Sequence, residues 1–151
     1  MWQRIQTVFL GIAILSLVVS LVFPVWLIDI GGEKHVLTSF YYLKGQIYQY
    51  SPYSLTAILA IASITLSIIG ITKYKNRMTQ LKIGLLNSLF LVGVIFSSFY
   101  FSNQLMKSLN AGSGQYGLGM WIPAIAVLCN LLANRFIRKD EKLVKDSNRL
   151  R

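Results

Sequence analysis

The sequence predicts an all-α membrane protein, a bundle of four transmembrane helices with a small outer β-hairpin or meander between helices one and two. Three observations support this. Only 13% of the 151 residues are charged and 54% are hydrophobic, whereas a water-soluble domain carries roughly 25% charged residues. Four apolar runs are each long enough to cross a hydrocarbon core of about 30 Å. The basic residues are confined to short segments between these runs, as is typical of membrane proteins.

The chain is predicted to be a single membrane domain over residues 1-151. Its helices are expected at about 5-27, 54-72, 83-105 and 118-140, with outer loops at 28-53 and 106-117 and a cytoplasmic tail at 138-151. The alternative for the first run is a cleaved signal peptide. The run favours a helix because it exceeds the usual apolar length of about 7–15 residues and no A-x-A cleavage pattern follows it.

The positions of the basic residues predict the orientation. If the amino terminus is cytoplasmic, 12 of the 15 lysine and arginine residues lie on the cytoplasmic side, and only Lys34, Lys44 and Lys107 lie outside. Basic residues concentrate on the cytoplasmic side of membrane proteins. We therefore expect a multi-pass protein with both termini in the cytoplasm.

The first outer loop has the pattern of short strands. Adjacent Gly31 and Gly32 separate two runs rich in β-branched and aromatic residues, and Lys44-Gly45 offers a second turn. Such pairs favour hairpins, so two or three short strands are expected above the helices. The plan resembles that of the claudins, four helices beneath an outer sheet, without that family's paired loop cysteines.

Aromatic residues cluster in the same loop, among them Tyr41, Tyr42 and Tyr48. Tyrosine favours the headgroup region of a bilayer, where its ring is shielded and its hydroxyl stays wet. An interfacial belt is the first interpretation, and a partner-binding surface is the alternative.

Neither outer loop predicts a cofactor or metal site. Gly112, Gly114 and Gly117 match the dinucleotide pattern G-x-G-x-x-G. That chemistry needs a preceding strand and a following helix, so a flexible connection is expected instead. His35 is the single histidine and is expected to be an exposed loop residue, because a zinc site needs further ligands.

All five acidic residues lie outside the apolar runs, the fourth of which ends at Ile137, and no basic residue falls near a helix centre. Buried carboxylates normally mark ion-coupled carriers, so their absence argues against one. The polar residues that do occur are small or carry amides, and asparagine can hydrogen-bond between membrane helices. Asn87, Asn130 and Asn134 are the candidate interhelical polar contacts.

The tail after residue 137 is basic and has helical charge spacing. It could lie on anionic lipid, dock on a protein partner or approach ribosomal RNA, or it could only set the topology. Its candidate contact residues are Arg138, Lys139, Lys142, Lys145, Arg149 and Arg151.

The two ends of the chain resemble a known family. The opening Met1-Trp2-Gln3-Arg4-Ile5-Gln6-Thr7-Val8 and the closing segment from Asn134 through Arg151 are similar to those of small four-helix inner-membrane proteins of Bacteroidota, catalogued as domain of unknown function 4293. The resemblance covers essentially the whole chain in layout. It implies a bacterial inner-membrane location and supplies no catalytic residues.

These features favour a non-enzymatic accessory or scaffold subunit of an inner-membrane assembly, for instance one for secretion or envelope biogenesis. Its expected partners are membrane lipid and other membrane proteins. The alternative is a small transporter or channel for a neutral or lipidic substrate, with the three asparagines along its path. A membrane enzyme is the third hypothesis, for which His35 is the only available base.

Overall fold

The computed structural model describes residues 3–73, 76–110 and 114–149. Four helices account for most of them: α1 (Gln3–Val22), α2 (Leu55–Thr72), α3 (Arg77–Ser108) and α4 (Leu118–Arg149). Five strands lie at one end of the helices: β1 (Trp26–Ile30), β2 (Glu33–Leu37), β3 (Tyr42–Lys44), β4 (Ile47–Gln49) and β5 (Gln115–Tyr116). We call this the sheet end, and the opposite end, where α1 begins and α4 finishes, the termini end.

The strands form one antiparallel sheet in the order β4-β3-β2-β1-β5. Gly31 and Gly32 join β1 to β2 with φ of +61° and +85°, and Gly45 opens the β3–β4 turn with φ of +57°. Glycine adopts positive φ without steric penalty, which explains why tight turns form at the two positions that the sequence indicated. The strand β5 comes from the α3–α4 connection and pairs with β1, Trp26 opposite Tyr116.

The prediction of an all-α fold with a small hairpin or meander was wrong, because the structure combines four helices with a five-stranded sheet. The predicted sheet used only residues 28–53. The real one begins earlier, at Trp26, and takes its last strand from the second connection. Pro24 explains the early start, since proline disfavours helical geometry in the preceding residue and α1 ends at Val22.

The α3–α4 connection was expected to be flexible, but its described part is held against β1. Gly117 N donates to Val25 O at 2.9 Å and Gly119 N donates to Pro24 O at 3.0 Å. A Cβ on Gly119 would lie 2.4 Å from the backbone oxygen of Phe23. Glycine is therefore required here for close backbone approach. Of the dinucleotide-like glycines, Gly112 lies outside the described residues.

The bundle interior combines small and polar side chains with a few large apolar ones, Leu17 and Leu91 among them, and many other large apolar side chains lie outside. Ala13, Ala126 and Ser63 have no solvent exposure, whereas Leu89 is 69% exposed and Phe96 is 71% exposed. Each helix contains a segment that is long and apolar enough to cross a membrane: Ile5–Val22, Leu55–Thr72, Arg77–Ser108 and Leu118–Val144. Small interior residues let such helices approach closely.

A second core lies between the sheet and the helix ends, and we call it the sheet core. It is built almost entirely from large side chains, whereas small and polar residues make up much of the bundle interior. Its buried members are Val25, Trp26, Leu37, Tyr42, Tyr53, Phe101, Leu105 and Met120.

Candidate functional site

The bundle interior contains a hydrogen-bonded group of amides and hydroxyls centred on Asn87 of α3. Ser63 Oγ donates to Asn87 Oδ1 at 2.6 Å, and Asn87 Nδ2 donates to Ser67 Oγ at 2.9 Å. Asn87 Nδ2 also donates to Asn130 Oδ1 at 3.1 Å. The structure thus brings two of the three predicted asparagines together, and one amide links α2, α3 and α4.

Asn130 completes this group on α4. Its Nδ2 donates to Gly84 O at 3.1 Å and to Ser88 Oγ at 2.8 Å. Both amides therefore use their oxygen and their nitrogen in bonds to neighbouring helices. A buried polar network with every member satisfied rigidifies the elements it joins.

Asn134 lies one turn further along α4 and is not part of the group. It is buried, and neither its Oδ1 nor its Nδ2 has a hydrogen-bond partner among the described residues. The adjacent void, which is lined by residues of all four helices, has a volume of about 10 Å³, close to the smallest space that holds one water molecule. This void therefore has no room for a molecule larger than water.

The termini end is closed by a second polar cluster, which the sequence did not indicate. Gln6 Nε2 donates to Asp140 Oδ2 at 2.8 Å, and Arg77 Nη1 donates to the Asp140 carbonyl oxygen at 2.8 Å. Gln80 Nε2 donates to Gly70 O at 3.1 Å. Gln6, Gln80 and Asp140 are all buried, so these contacts join α1, α3 and α4 and fasten α3 to the end of α2.

The basic tail continues α4 without a break to Arg149. Arg138, Lys139 and Lys142 are exposed. The side chains of Lys145 and Arg149, and all of Arg151, lie outside the part of the chain that the structure describes.

The sheet presents a group of three tyrosines, the half-buried Tyr41 and the exposed Tyr48 and Tyr50, which we call the tyrosine surface. The Tyr41 ring packs edge-on against Tyr48 at 5.1 Å and against Tyr50 at 5.9 Å between ring centroids. Tyr48 is 55% exposed, and neighbouring Ile47 is 70% exposed. Tyr42, the third predicted tyrosine, is not on this surface because successive side chains of a strand point to opposite faces; it belongs to the sheet core.

The strand β4 beside the tyrosine surface is an edge of the sheet. Its three residues are all exposed, and its only strand neighbour in the described sheet is β3. An exposed edge offers unpaired backbone donors and acceptors to another strand. Aromatic side chains and a free edge therefore occur together at one place.

The prediction that His35 is an exposed loop residue was wrong, because it is buried under the sheet. Its Nδ1 shares a hydrogen bond with the Tyr42 hydroxyl. Burial, with smaller contributions from Tyr53 and Glu33, raises the pKa of Tyr42, and burial raises the pKa of Tyr53. Both phenols are therefore neutral at physiological pH, and His35 contributes to the packing of the sheet core.

A cavity of about 460 Å³ lies beside His35, between β1, β2 and the start of β5. Its polar lining includes Asp29, Lys34 and Gln115. Within the described ranges, no three histidine, cysteine, aspartate or glutamate side chains come close enough to hold a metal ion. The cavity therefore offers a mixed polar surface without a described metal-ligand set.

Two comparisons place the chain among known proteins. A family model described as "Domain of unknown function (DUF4293)" matches residues 2–150. This match confirms the predicted membership in the family of domain of unknown function 4293. No curated protein matches the chain.

Proposed function

The chain belongs to the family of domain of unknown function 4293, and from this premise we propose that it is a non-enzymatic accessory or scaffold subunit of an inner-membrane assembly. The proposed assembly is one for secretion or envelope biogenesis. In this proposal the four helices anchor the subunit, both termini are cytoplasmic, and the sheet meets a protein partner on the outer side.

The distribution of apolar side chains supports membrane insertion. Large hydrophobic residues such as Leu15, Leu89 and Phe96 face outward, while serines and asparagines face inward. In water this arrangement would expose several large apolar faces, which monomeric soluble proteins rarely do. In a bilayer it satisfies polar groups internally and leaves apolar groups in lipid.

The lysine and arginine distribution supports the orientation. With the termini end in the cytoplasm, 12 of the 15 basic residues lie on that side, in agreement with the positive-inside rule. The exposed Arg138, Lys139 and Lys142 of α4 then lie where they meet anionic lipid or a cytoplasmic partner. Each basic residue near an anionic surface contributes about 1 kcal/mol to such binding.

The tyrosine surface is the single observation that carries the scaffold proposal. Tyrosine is enriched at protein interfaces because it buries a large area at low entropic cost. Here three tyrosine rings lie together next to a free strand edge. A partner that adds a strand to β4 would pair with its backbone and cover Tyr48 at the same time.

The alternative, a transporter or channel for a neutral or lipidic substrate, has less support. Asn87 and Asn130, which would line its path, are hydrogen-bonded to each other. The void beside them is about 10 Å³, far below the roughly 300–1,000 Å³ of typical ligand pockets. The interior contacts favour a structural role for these amides.

Site-specific photo-cross-linking in native membranes tests the scaffold proposal. A photoreactive residue replacing Tyr48 is expected to give one discrete protein adduct, and the same residue at Glu33, in the exposed β1–β2 hairpin, is the matched control. The adduct should disappear from the Tyr48 position when Tyr41 is also changed to Ala. An identical adduct pattern at both positions, or persistence of the adduct in Tyr41→Ala, would reject the tyrosine surface as the contact.

A further inference from the structure

A groove runs along one face of α3, away from the polar interior. Its apolar part is lined by Val92, Ile95, Phe96 and Phe99, with Val127 of α4 opposite, and the volume of the whole groove is about 780 Å³. The α3 residues follow each other at spacings of one, three or four, so they share one helix face. None of the residues that line the groove is acidic.

The groove changes from apolar to polar toward the sheet end. Tyr100 follows the apolar stretch, and Asn103, Gln104 and Lys107 line the last part. Lys107 is exposed, and no ion pair joins it to the described residues. From the middle of α3 toward the sheet end, the lining of the groove thus consists of an apolar segment, a tyrosine, two amides and an ammonium group.

The change from apolar to polar side chains along the groove matches the change from acyl chains to headgroups across one membrane leaflet. From Val92 to Phe99 the helix rises about 10 Å, and from Val92 to Lys107 about 22 Å. Half of a hydrocarbon core is about 15 Å. With Val92 near mid-membrane, the apolar segment lies among acyl chains, Tyr100 approaches the interface where tyrosine is favoured, and Lys107 reaches the headgroups.

We propose that this groove is a binding site for one anionic phospholipid of the outer leaflet, with an acyl chain along Val92–Phe99 and the phosphate at Lys107. The inference rests on the membrane placement proposed above, and it is independent of the partner at the tyrosine surface.

The polar end of the groove favours a phosphate over a neighbouring protein helix. Asn103, Gln104 and Lys107 lie within about one turn and can direct amide and ammonium N–H groups at one anion. The carboxyl end of α3 repels an anion, since the carboxyl terminus of a helix carries about half a negative charge. A full positive charge on Lys107 exceeds it, so the net field at the groove mouth is attractive to an anion.

The apolar part provides shape and the polar part provides selectivity. Acyl chains are as apolar as the groove walls, so moving one from bulk lipid into the groove gains little hydrophobic free energy. One lysine near the headgroups is expected to give an anionic lipid about a five-fold advantage over a zwitterionic one. Loss of the ammonium group should remove most of that advantage.

Native mass spectrometry of the full chain, purified in mild detergent and given equimolar phosphatidylglycerol and phosphatidylcholine, tests the proposal. The wild type should retain phosphatidylglycerol about five-fold more than phosphatidylcholine. Lys107→Ala should bring the ratio near one, and Lys107→Arg should preserve it. Lys44→Ala, which removes an exposed lysine of the sheet, is the matched control and should leave the ratio unchanged. Equal retention of the two lipids by the wild type, or an equal loss in both alanine variants, would overturn the proposal.

A second measurement separates a lipid from a protein occupant and from failure of membrane insertion. A photoreactive residue at Phe96 in native membranes should yield a lipid adduct of the intact chain, and capture of a protein there overturns the lipid assignment. The same membranes are washed with alkaline carbonate. Release of the chain would contradict membrane insertion, and with it both proposals, whereas retention without a lipid adduct would contradict only the lipid site.

Discussion

The bundle interior and the sheet core are built from different proportions of apolar and polar side chains. The sheet core buries large side chains such as Trp26, Leu37 and Phe101, as a water-soluble domain does. The bundle interior also buries Leu17 and Leu91. It differs in that Ser63, Asn87 and Asn130 are buried there as well. Many other large apolar side chains of the helices are exposed. The difference is expected if, as proposed above, lipid surrounds the helices and water surrounds the sheet, because burial is favourable only for groups that the surroundings solvate poorly.

The two regions meet where α4 begins, and a change there has the largest expected effect. In Gly119→Ala the new methyl group would lie 2.4 Å from Phe23 O and 2.9 Å from Pro24 O. These are backbone atoms, so relief requires α4 to move away from the α1–β1 link. We expect about 3 kcal/mol of destabilisation, measured as the free energy of unfolding in detergent by denaturant titration.

The control for this change is Gly11→Ala on α1. A Cβ at Gly11 meets nothing within 4 Å, and alanine is the better helix former by about 1 kcal/mol. Gly11→Ala should therefore be neutral or stabilising. If both variants lost equal stability, the close approach at Gly119 would not be what couples the two regions.

A smaller effect is expected from the bundle interior itself. Asn87→Ala removes the bonds to Ser63, Ser67 and Asn130 and should reduce the free energy of unfolding by about 1–2 kcal/mol. Asn134→Ala is the matched control, because the Asn134 amide has no described partner. It should be neutral or stabilising in the same titration. Equal losses in the two variants would mean that hydrogen bonding does not distinguish these two amides.

The smallest expected effect comes from the polar contact in the sheet core. Tyr42→Phe removes the bond to His35 and should cost about 1 kcal/mol near neutral pH, whereas Tyr48→Phe on the surface should cost nothing measurable.

The same pair of variants has a distinct pH dependence. The folded state raises the pKa of Tyr42 above that of the unfolded chain, mainly through burial. Its stabilising contribution is therefore complete below about pH 10 and is lost as the pH rises above that value. Tyr42→Phe should flatten the alkaline fall of the unfolding free energy relative to Tyr48→Phe. Parallel curves for the two variants would contradict a buried Tyr42 hydroxyl.

The helices could be predicted from the sequence because each corresponds to a long, continuous stretch of hydrophobic residues. Their ends were harder to predict. The apolar run from Ile5 to Leu27 includes both α1 and the start of β1, and hydropathy does not distinguish a helix from a buried strand that follows it directly. Only Pro24 marks the change. Glycine pairs are equally local signals, which explains why the turns at Gly31-Gly32 and Gly45 lie where the pattern placed them.

The sheet and the candidate site depended on contacts between distant residues. The two-residue strand β5 has no pattern of its own and exists because the edge of β1 pairs with it. In the same way, the sequence Tyr41-Tyr42 does not indicate which ring faces out. The sheet turns Tyr41 toward Tyr48 and buries Tyr42 on His35. Composition indicated that the outer loop is rich in aromatic residues. Only the register of the strands determines which of these rings are exposed and which are buried in the sheet core.

The position of β5 in the chain also sets the order in which the molecule can be completed. Four strands are available once residue 49 has been synthesised, and Trp26 can then pair with Leu37 of β2. Its partner on the other side, Tyr116, lies beyond the whole of α3. Until α3 has been made, β1 has one free edge and Val25 O lacks its bond from Gly117. The fifth strand can therefore pair only after α3 has been synthesised, and a chain interrupted before residue 115 would lack this strand.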